Sequence, residues 1–233
     1  MKNKKILSLA LALSLAFTAL FPVNTYASIG HTTKTIDKSQ TVKGEKSTIE
    51  VKHYLTYVVL EEDDPAVQKI NKKLKSEKKY LTDRSDAMDS AEFDADERDY
   101  DDVYYDYTEQ DVSFMSEDYV SVTSSWVWYA GGVGNYGISG LTFDLSTGKE
   151  IKKLTYFTKE KSLKKIKKTL KKMALKDDEN LSGADVDLAI KGKKAKDFYF
   201  YLDENGDVVV CFGPYEMGYG GWARTYTLEG DIK

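Results

Sequence analysis

Cysteine is nearly absent from this chain, because Cys211 is the only one among 233 residues. A lone cysteine cannot form a disulfide within the chain, so packing and hydrogen bonding alone have to hold the fold together. Cys211 lies in the apolar run VVVCF, and we expect it to be a small, buried, apolar residue.

Histidine is almost as scarce, and the common hydrolase motifs are missing. His31 and His53 are the only histidines, and the sequence contains no GxSxG, HExxH or CxxC. We therefore predict a protein that is not an enzyme, with no catalytic residue, no metal site and no cofactor. Paired catalytic carboxylates stay open as an alternative among the 38 acidic residues, but no pair stands out by its context.

Long apolar runs are also missing, apart from one at the amino terminus. The chain begins MKNKK, continues with ILSLALALSLAFTALF, breaks at Pro22 and reaches TYA at residues 25–27. The run has about 16 residues where roughly 20 are needed to cross a bilayer, and small residues follow it at the spacing of a cleavage site. We predict a signal peptide over residues 1–27 and hence a secreted, extracellular protein. No cysteine near this site offers a lipoprotein anchor.

Removing the signal peptide also removes three lysines, which leaves 31 basic residues against 38 acidic ones and a formal charge of −7. No membrane span is expected in this mature chain. Residues 28–46 are polar and lack apolar periodicity, which predicts a flexible, disordered linker. Residues 47–233 are long enough for a packed core, and we predict a single α+β domain whose two halves meet near residue 135.

Two helices are predicted in that domain. Pro65 follows Asp64 and opens a helix with Val67, Ile70 and Leu74 on one face. A second helix is predicted over residues 158–176, with Thr158 or Ser162 as its cap. Its apolar residues recur at helical spacing, at Leu163, Ile166, Leu170 and Met173.

Alternating apolar residues predict strands around these helices, and the Asn-Gly of DENGD predicts a hairpin. The order β-α-β-β-β-α-β-β-β indicates an α+β fold, in which two helices pack on an antiparallel sheet. The segment 86–102 carries nine acidic residues against one arginine and shows no clear period. No twelve-residue calcium loop can be laid over it, so we interpret it as a long exposed loop.

Two further patterns each have a structural and a functional interpretation. Gly132, Gly134 and Gly137 spell G-x-G-x-x-G, but a nucleotide loop leads into a helix, whereas this one leads from strand to strand. Neither a nucleotide nor nucleic acid is expected as a partner. The predicted helix 158–176 contains nine lysines, which favours a core helix with a solvated face and leaves contact with a cell-wall polyanion open.

The second half of the chain resembles a known family. The loop YAGG, the hairpin LTFDLSTGKEI, the lysine-rich helix and the run FYFYLDENGDVVVCFGPYEMGYGGWARTYTLE are similar to the extracellular domain of RsiV-type anti-sigma factors. The same domain of unknown function also occurs beside peptidoglycan deacetylase domains in Gram-positive bacteria. With the helix from Pro65, the resemblance spans residues 49–229.

The resemblance implies an α+β sensor or binding domain at the cell envelope, with lysozyme as the ligand in the best-known members. The chain departs from the family where a histidine usually follows the glycine pair, since Val133, Gly134 and Asn135 stand there. Any role of that imidazole is in doubt here. The sigma-binding segment and the deacetylase domain are missing as well.

We predict that aromatic loops at one end of the sheet bind a protein such as lysozyme or a cell-wall polymer. Alternatives are an enzyme or accessory acting on peptidoglycan, and a purely structural surface domain. For residues 214–216 a simple hairpin turn is an equally good interpretation. The predicted ligand-binding residues are Tyr129, Asn135, Tyr136, Pro214, Tyr215, Glu216 and Tyr219.

Overall fold

The computed structural model describes residues 29–76, 86–218 and 220–232, which form two β-sheets and four α-helices. The predicted signal peptide and Tyr219 lie outside the described residues. The strands are β1 (His31–Lys43), β2 (Thr48–Leu60), β3 (Asp102–Met115), β4 (Tyr119–Ala130), β5 (Val133–Asp144), β6 (Lys149–Glu150), β7 (Tyr199–Leu202), β8 (Val208–Phe212) and β9 (Arg224–Leu228). The helices are α1 (Pro65–Ser76), α2 (Asp86–Glu97), α3 (Leu163–Asp177) and α4 (Gly183–Ile190).

The larger sheet has the strand order β1-β2-β3-β4-β5-β6, and it is mixed. All neighbouring strands run antiparallel except β2 and β3, which are parallel. The prediction of a purely antiparallel sheet is therefore wrong for this pair. Both α1 and α2 lie between β2 and β3 in the chain, and a crossover of that kind is what joins parallel strands.

The predicted disordered linker is instead the edge strand β1. It pairs with β2 along its whole length, from His31 opposite Leu60 to Lys43 opposite Thr48. Nearly all of its side chains are exposed, and only Ile36 and Val42 are partly buried. Because only Ile36 and Val42 of β1 pack against buried residues, its sequence shows no apolar alternation. Backbone pairing orders this strand, and a side-chain pattern does not report such pairing.

The prediction of a helix from Pro65 is confirmed by α1. Oδ1 of Asp64 accepts a hydrogen bond from the amide of Ala66 at 2.7 Å, which caps the first turn. The predicted apolar face is buried in a cluster with residues of β2, β4 and β5. This cluster contains Val58, Leu60, Val67, Ile70, Leu74, Val120, Val122, Phe143 and Leu145.

The acidic segment that we predicted as a loop is mostly the helix α2. Ala87, Ala91 and Ala95 recur every four residues, are fully buried and pack on Ile49 and Tyr104. Alanine has the highest helix propensity, and its small side chain lets the helix lie close to the sheet. The acidic side chains dominate the composition and hide this narrow apolar stripe.

The second sheet has the order β7-β8-β9 and is antiparallel, with the predicted DENGD turn joining β7 to β8. Helix α3 confirms the lysine-rich helix, although it begins at Leu163, after Ser162. Helix α4 was not predicted, because it has only eight residues and little amphipathic pattern. The number of helices is thus four in the described residues instead of two.

The second sheet packs on the face of the larger sheet opposite α2. The buried hydroxyl of Ser121 on β4 accepts a hydrogen bond from the amide of Leu202 on β7 at 2.9 Å. The same hydroxyl lies 2.9 Å from that of Thr142 on β5. This contact involves the β4–β5 side of the face, and the tyrosines of β2 and β3 on the same face are only half-buried.

Candidate functional site

Four tyrosines from three adjacent strands form a row on the face of the larger sheet opposite α2. Tyr54 lies opposite Tyr107, and Tyr105 lies opposite Tyr129. The ring centroids are 4.8 Å apart for Tyr105 and Tyr107, and 5.2 Å apart for Tyr105 and Tyr129. Tyr54 meets Tyr107 edge to face at 5.8 Å. All four are half-buried, so each ring of this tyrosine row keeps part of its surface open to solvent.

The tyrosine row presents phenol side chains, one of which has a shifted pKa. Burial raises the pKa of Tyr105 above its usual range, and the neighbouring phenols of Tyr129 and Tyr107 act in the same direction. A neutral phenol offers a large apolar ring and one hydroxyl that both donates and accepts. The row is therefore suited to contact with a ligand.

The row ends at the turn between β4 and β5, which contains the glycine pattern. Gly131 and Gly132 have φ angles of +58° and +91°, a conformation that favours glycine. The chain passes directly into β5, as expected for a strand-to-strand turn, so no helix N-terminus is available for a phosphate. A Cβ atom on Gly134 would lie 3.7 Å from Cδ2 of Tyr129, so this glycine leaves the ring uncovered.

The loop 213–223, which joins β8 to β9, is docked on the edge of β5. The amide of Tyr136 donates a hydrogen bond to the carbonyl of Gly221 at 2.6 Å. The amide of Ala223 in turn donates to the carbonyl of Tyr136 at 2.8 Å. These two bonds hold the segment from Gly221 to Ala223 against Tyr136 of β5.

Trp222 is the main aromatic residue that the sequence analysis missed. Its ring lies 5.8 Å from that of Tyr136, between centroids, and 73% of the residue is exposed. Tyr136 shares a face with Tyr129, because Tyr129 lies opposite Gly134 and alternate residues of a strand point the same way. Only Gly221 separates Trp222 from the run GPYEMGYG, and its aromatic type was the only signal for it.

Tyr215 is exposed in the same loop as Trp222. It is 57% exposed and has a φ of +60°, which is rare for a residue other than glycine and is often found at functional sites. Its hydroxyl lies beside Gly221, 3.4 Å from where a Cβ atom of that residue would be. The tyrosine row, Tyr136 and Trp222 are together called the aromatic surface below, whereas Tyr215 lies beside Gly221 on the side of Asn135.

Pro214 and Glu216 hold the loop in shape. Oε2 of Glu216 accepts a hydrogen bond from the amide of Gly213 at 2.8 Å, and Oε1 forms an ion pair with Lys193. Pro214 lies between Gly213 and Glu216 in the turn that follows β8. The interpretation of residues 214–216 as a simple hairpin turn therefore fits Pro214 and Glu216. Both carboxylate oxygens of Glu216 have partners within the protein, and its contact with a ligand stays a prediction.

Asn135 points to the other face of the sheet. It pairs with Trp128 across β4 and β5, and Trp128 pairs in turn with Asp106. Oδ1 of Asn135 and Nε1 of Trp128 are buried and have no hydrogen-bond partner among the described residues. Asn135 is therefore separated from the aromatic surface by the sheet, although it touches the same loop next to Gly221.

His53 continues this second, polar row across the sheet. It lies opposite Asp106, with Nδ1 3.8 Å from Oδ2 of that carboxylate, and only 1% of the residue is exposed. Burial lowers the pKa of His53, while Asp106 opposes the shift and Lys38 adds to it. No pattern in the sequence indicates this row, because its members lie far apart in the chain and meet only through strand pairing.

The described residues contain no group of three or more histidine, cysteine, aspartate or glutamate side chains that is arranged to hold a metal ion. Within the same residues, each helix is too short or too polar to cross a bilayer.

No protein-family model and no curated protein matches this sequence. The fold is similar to two crystal structures from the DUF3298 family, a domain of unknown function. One is from Bacteroides fragilis, with a TM-score of 0.57 and 14% identity over 86% of this chain and 91% of that one. The other is from Pseudomonas aeruginosa, with a TM-score of 0.51 and the same identity and coverage. The chain thus has the mixed α+β fold of these proteins.

Proposed function

We propose that this protein is a secreted, non-enzymatic binding or sensor module of the RsiV type at the Gram-positive cell surface. Its ligand is a protein such as lysozyme or a cell-wall polymer, held on the aromatic surface. The observation that carries this proposal is that Tyr129, Tyr136 and the exposed Trp222 lie on one face of the sheet, with the rings of Tyr136 and Trp222 in contact.

The extent of the aromatic surface favours a large ligand. It crosses β2, β3, β4 and β5, and adjacent strands are about 4.8 Å apart, so it spans roughly 15 Å before the loop adds to it. A small molecule would cover only part of this length. Aromatic side chains lose little rotamer freedom on binding, and a few of them commonly dominate the affinity of a protein interface.

The chemistry of the surface supports binding over catalysis. The groups of the aromatic surface itself are phenols and an indole, and Lys52, which lies opposite Tyr105, forms an ion pair with Glu50. Burial moves the pKa of Tyr105 further from neutral pH, where a general acid or base works best.

The test compares binding of purified protein to lysozyme and to soluble cell-wall glycan fragments, by calorimetry. The double variant Tyr136→Ala, Trp222→Ala should weaken binding of the true ligand at least tenfold, because loss of two anchors costs about 2 kcal/mol or more. Phe93→Ala is the matched control, since Phe93 is 70% exposed on α2, on the other side of the sheet.

Equal affinity of the double variant and the wild type would show that the aromatic surface is not the binding site. Release of acetate or soluble sugar from wall fragments by the wild-type protein would instead favour the enzymatic alternative.

A further inference from the structure

Helix α3 turns one face to the core and the opposite face to solvent. Ile166, Leu170 and Ala174 are buried under the second sheet and α4. With 3.6 residues per turn, positions 164, 168 and 172 fall on the far side of the helix from these three.

Those positions are occupied by Lys164, Lys168 and Lys172, called the lysine stripe below. The spacing of four residues places successive Cα atoms about 6 Å apart along the helix axis. All three are exposed, and none forms an ion pair with a carboxylate in the described part of the chain. Neighbouring lysines differ, since Lys165 pairs with Glu160 at 3.1 Å and Lys171 with Asp187 at 2.7 Å.

The stripe costs stability as it stands. Like charges four residues apart on a helix repel each other by a few tenths of a kcal/mol per pair. The chain has more acidic residues than basic ones, yet it places no acidic partner on this line. The positive region also extends beyond α3, because Nζ of Lys167 donates to the carbonyl of Lys191 at 2.8 Å and so brings the exposed Lys191 close.

We infer that the lysine stripe docks a linear polyanion with repeating phosphodiester groups. Three ammonium groups in a line match a chain of regularly spaced negative charges, and each contact releases counterions from the polymer. A single phosphate would contact only part of the stripe, because the Cα atoms of Lys164 and Lys172 are about 12 Å apart along the helix axis. This surface is separate from the aromatic surface, so the inference does not depend on the proposed function.

A membrane surface fits the helix less well. Helices that lie in a bilayer interface insert an apolar face among the lipids, and the apolar face of α3 is already buried in the core. Leu175, which is 37% exposed, is the largest apolar residue left on its solvent side.

The test measures binding of the full protein to fluorescently labelled poly(glycerol phosphate), by anisotropy at several salt concentrations. The variant Lys164→Gln, Lys168→Gln, Lys172→Gln should bind at least tenfold more weakly at low salt. Its slope of log K against log salt should be smaller by about 2 to 3, as expected for three lost ionic contacts. Glutamine keeps the helix propensity nearly unchanged, and circular dichroism checks the fold.

The matched control is Lys34→Gln, Lys38→Gln, Lys43→Gln, which removes the same charge from exposed positions on β1. Its affinity should stay within about twofold of the wild type if local position matters more than net charge. An equal loss in the two triple variants would overturn the inference, as would absence of polymer binding by the wild type.

Two further experiments test whether the binding site is instead specific for a membrane or lies on the aromatic surface. Stripe-dependent binding to vesicles of phosphatidylglycerol, without binding to the polymer, would replace the polyanion with a membrane surface and overturn the inference. The variant Tyr136→Ala, Trp222→Ala should keep its affinity for the polymer. Loss of polymer binding in that variant, with full binding by the stripe variant, would move the site to the aromatic surface.

Discussion

Tyr136 is bonded through its backbone to the residues on both sides of Trp222, and the two rings lie 5.8 Å apart between centroids. The most exposed ring of the aromatic surface is thus fixed to the sheet by an edge pairing. This pairing requires close approach at Gly221, where a Cβ atom would lie 2.5 Å from Oδ1 of Asn135 and 2.7 Å from the carbonyl of Gly134.

Gly221→Ala should therefore undock the loop. The carbonyl of Gly134 belongs to the backbone and cannot move aside freely, so we expect a loss of about 1–3 kcal/mol in the free energy of unfolding. Urea denaturation measures this loss, and faster hydrogen exchange at the amide of Tyr136 reports the undocking. Gly192→Ala is the control, because no atom lies within 4 Å of its Cβ position. Unchanged exchange at Tyr136 would contradict the proposed role of Gly221.

His53 should make the protein less stable in mild acid. Its pKa is lowered by burial, so the folded protein favours the neutral imidazole and the unfolded chain takes up the proton first. The neutral, buried imidazole makes its full contribution to the free energy of unfolding above the usual histidine pKa of about 6.5. This contribution is lost as the pH falls through the lowered pKa, and the free energy of unfolding then declines by at most about 1.4 kcal/mol per pH unit.

Urea denaturation between about pH 7.5 and pH 5 tests this expectation against the linkage relation. His53→Gln should show a smaller decline in the free energy of unfolding over that range than the wild type. His31→Gln, on the exposed strand β1, is the control and should decline as the wild type does. Parallel curves for all three proteins would show that His53 does not cause the decline.

Cys211 should be unreactive in the folded protein. It is 1% exposed, and burial, with a smaller contribution from Glu216, raises the pKa of its thiol to about 12. The thiolate is the reactive form, so a thiol reagent such as DTNB should label almost none of the native protein near neutral pH. One equivalent should be labelled in denaturant, since the chain has a single cysteine. Rapid labelling of native protein would contradict this burial.

The amino terminus should be cleaved on export. We expect secreted protein to begin at Ser28, because TYA at residues 25–27 has the small residues that signal peptidase selects. Mass spectrometry of protein from the culture medium measures the terminus. Ala27→Tyr should block cleavage, whereas Thr33→Tyr, at an exposed position of β1, should leave it unchanged. A full-length chain in the cytosol would contradict the prediction of export.

The elements that the sequence predicted well carry their signal locally. In α1, Pro65 marks the start and the apolar period marks the buried face, so both features lie within twelve residues. The Asn-Gly turn between β7 and β8 is local in the same way. In β1 and α2 the signal is weak, because exposed side chains on β1 and acidic ones on α2 mask pairing and packing that involve distant residues.

Only part of the candidate site was predicted, because only some of its residues carry a local signal in the sequence. Tyr129, Tyr136 and Tyr215 were predicted because they flank glycine-rich turns, where loops commonly carry binding residues. Tyr54, Tyr105 and the polar row around His53 could not be predicted, since they depend on which strands pair and in which register.

The sequence by itself determined the signal-peptide pattern, the dependence on packing without disulfides, the start of α1, the lysine-rich helix and the aromatic turns. Only the tertiary structure decided that β2 and β3 run parallel, that four tyrosines share one face, and that Trp222 lies beside Tyr136. The physical reason is that periodicity and turn chemistry act over a few residues, whereas strand register sets contacts between side chains that are tens of residues apart.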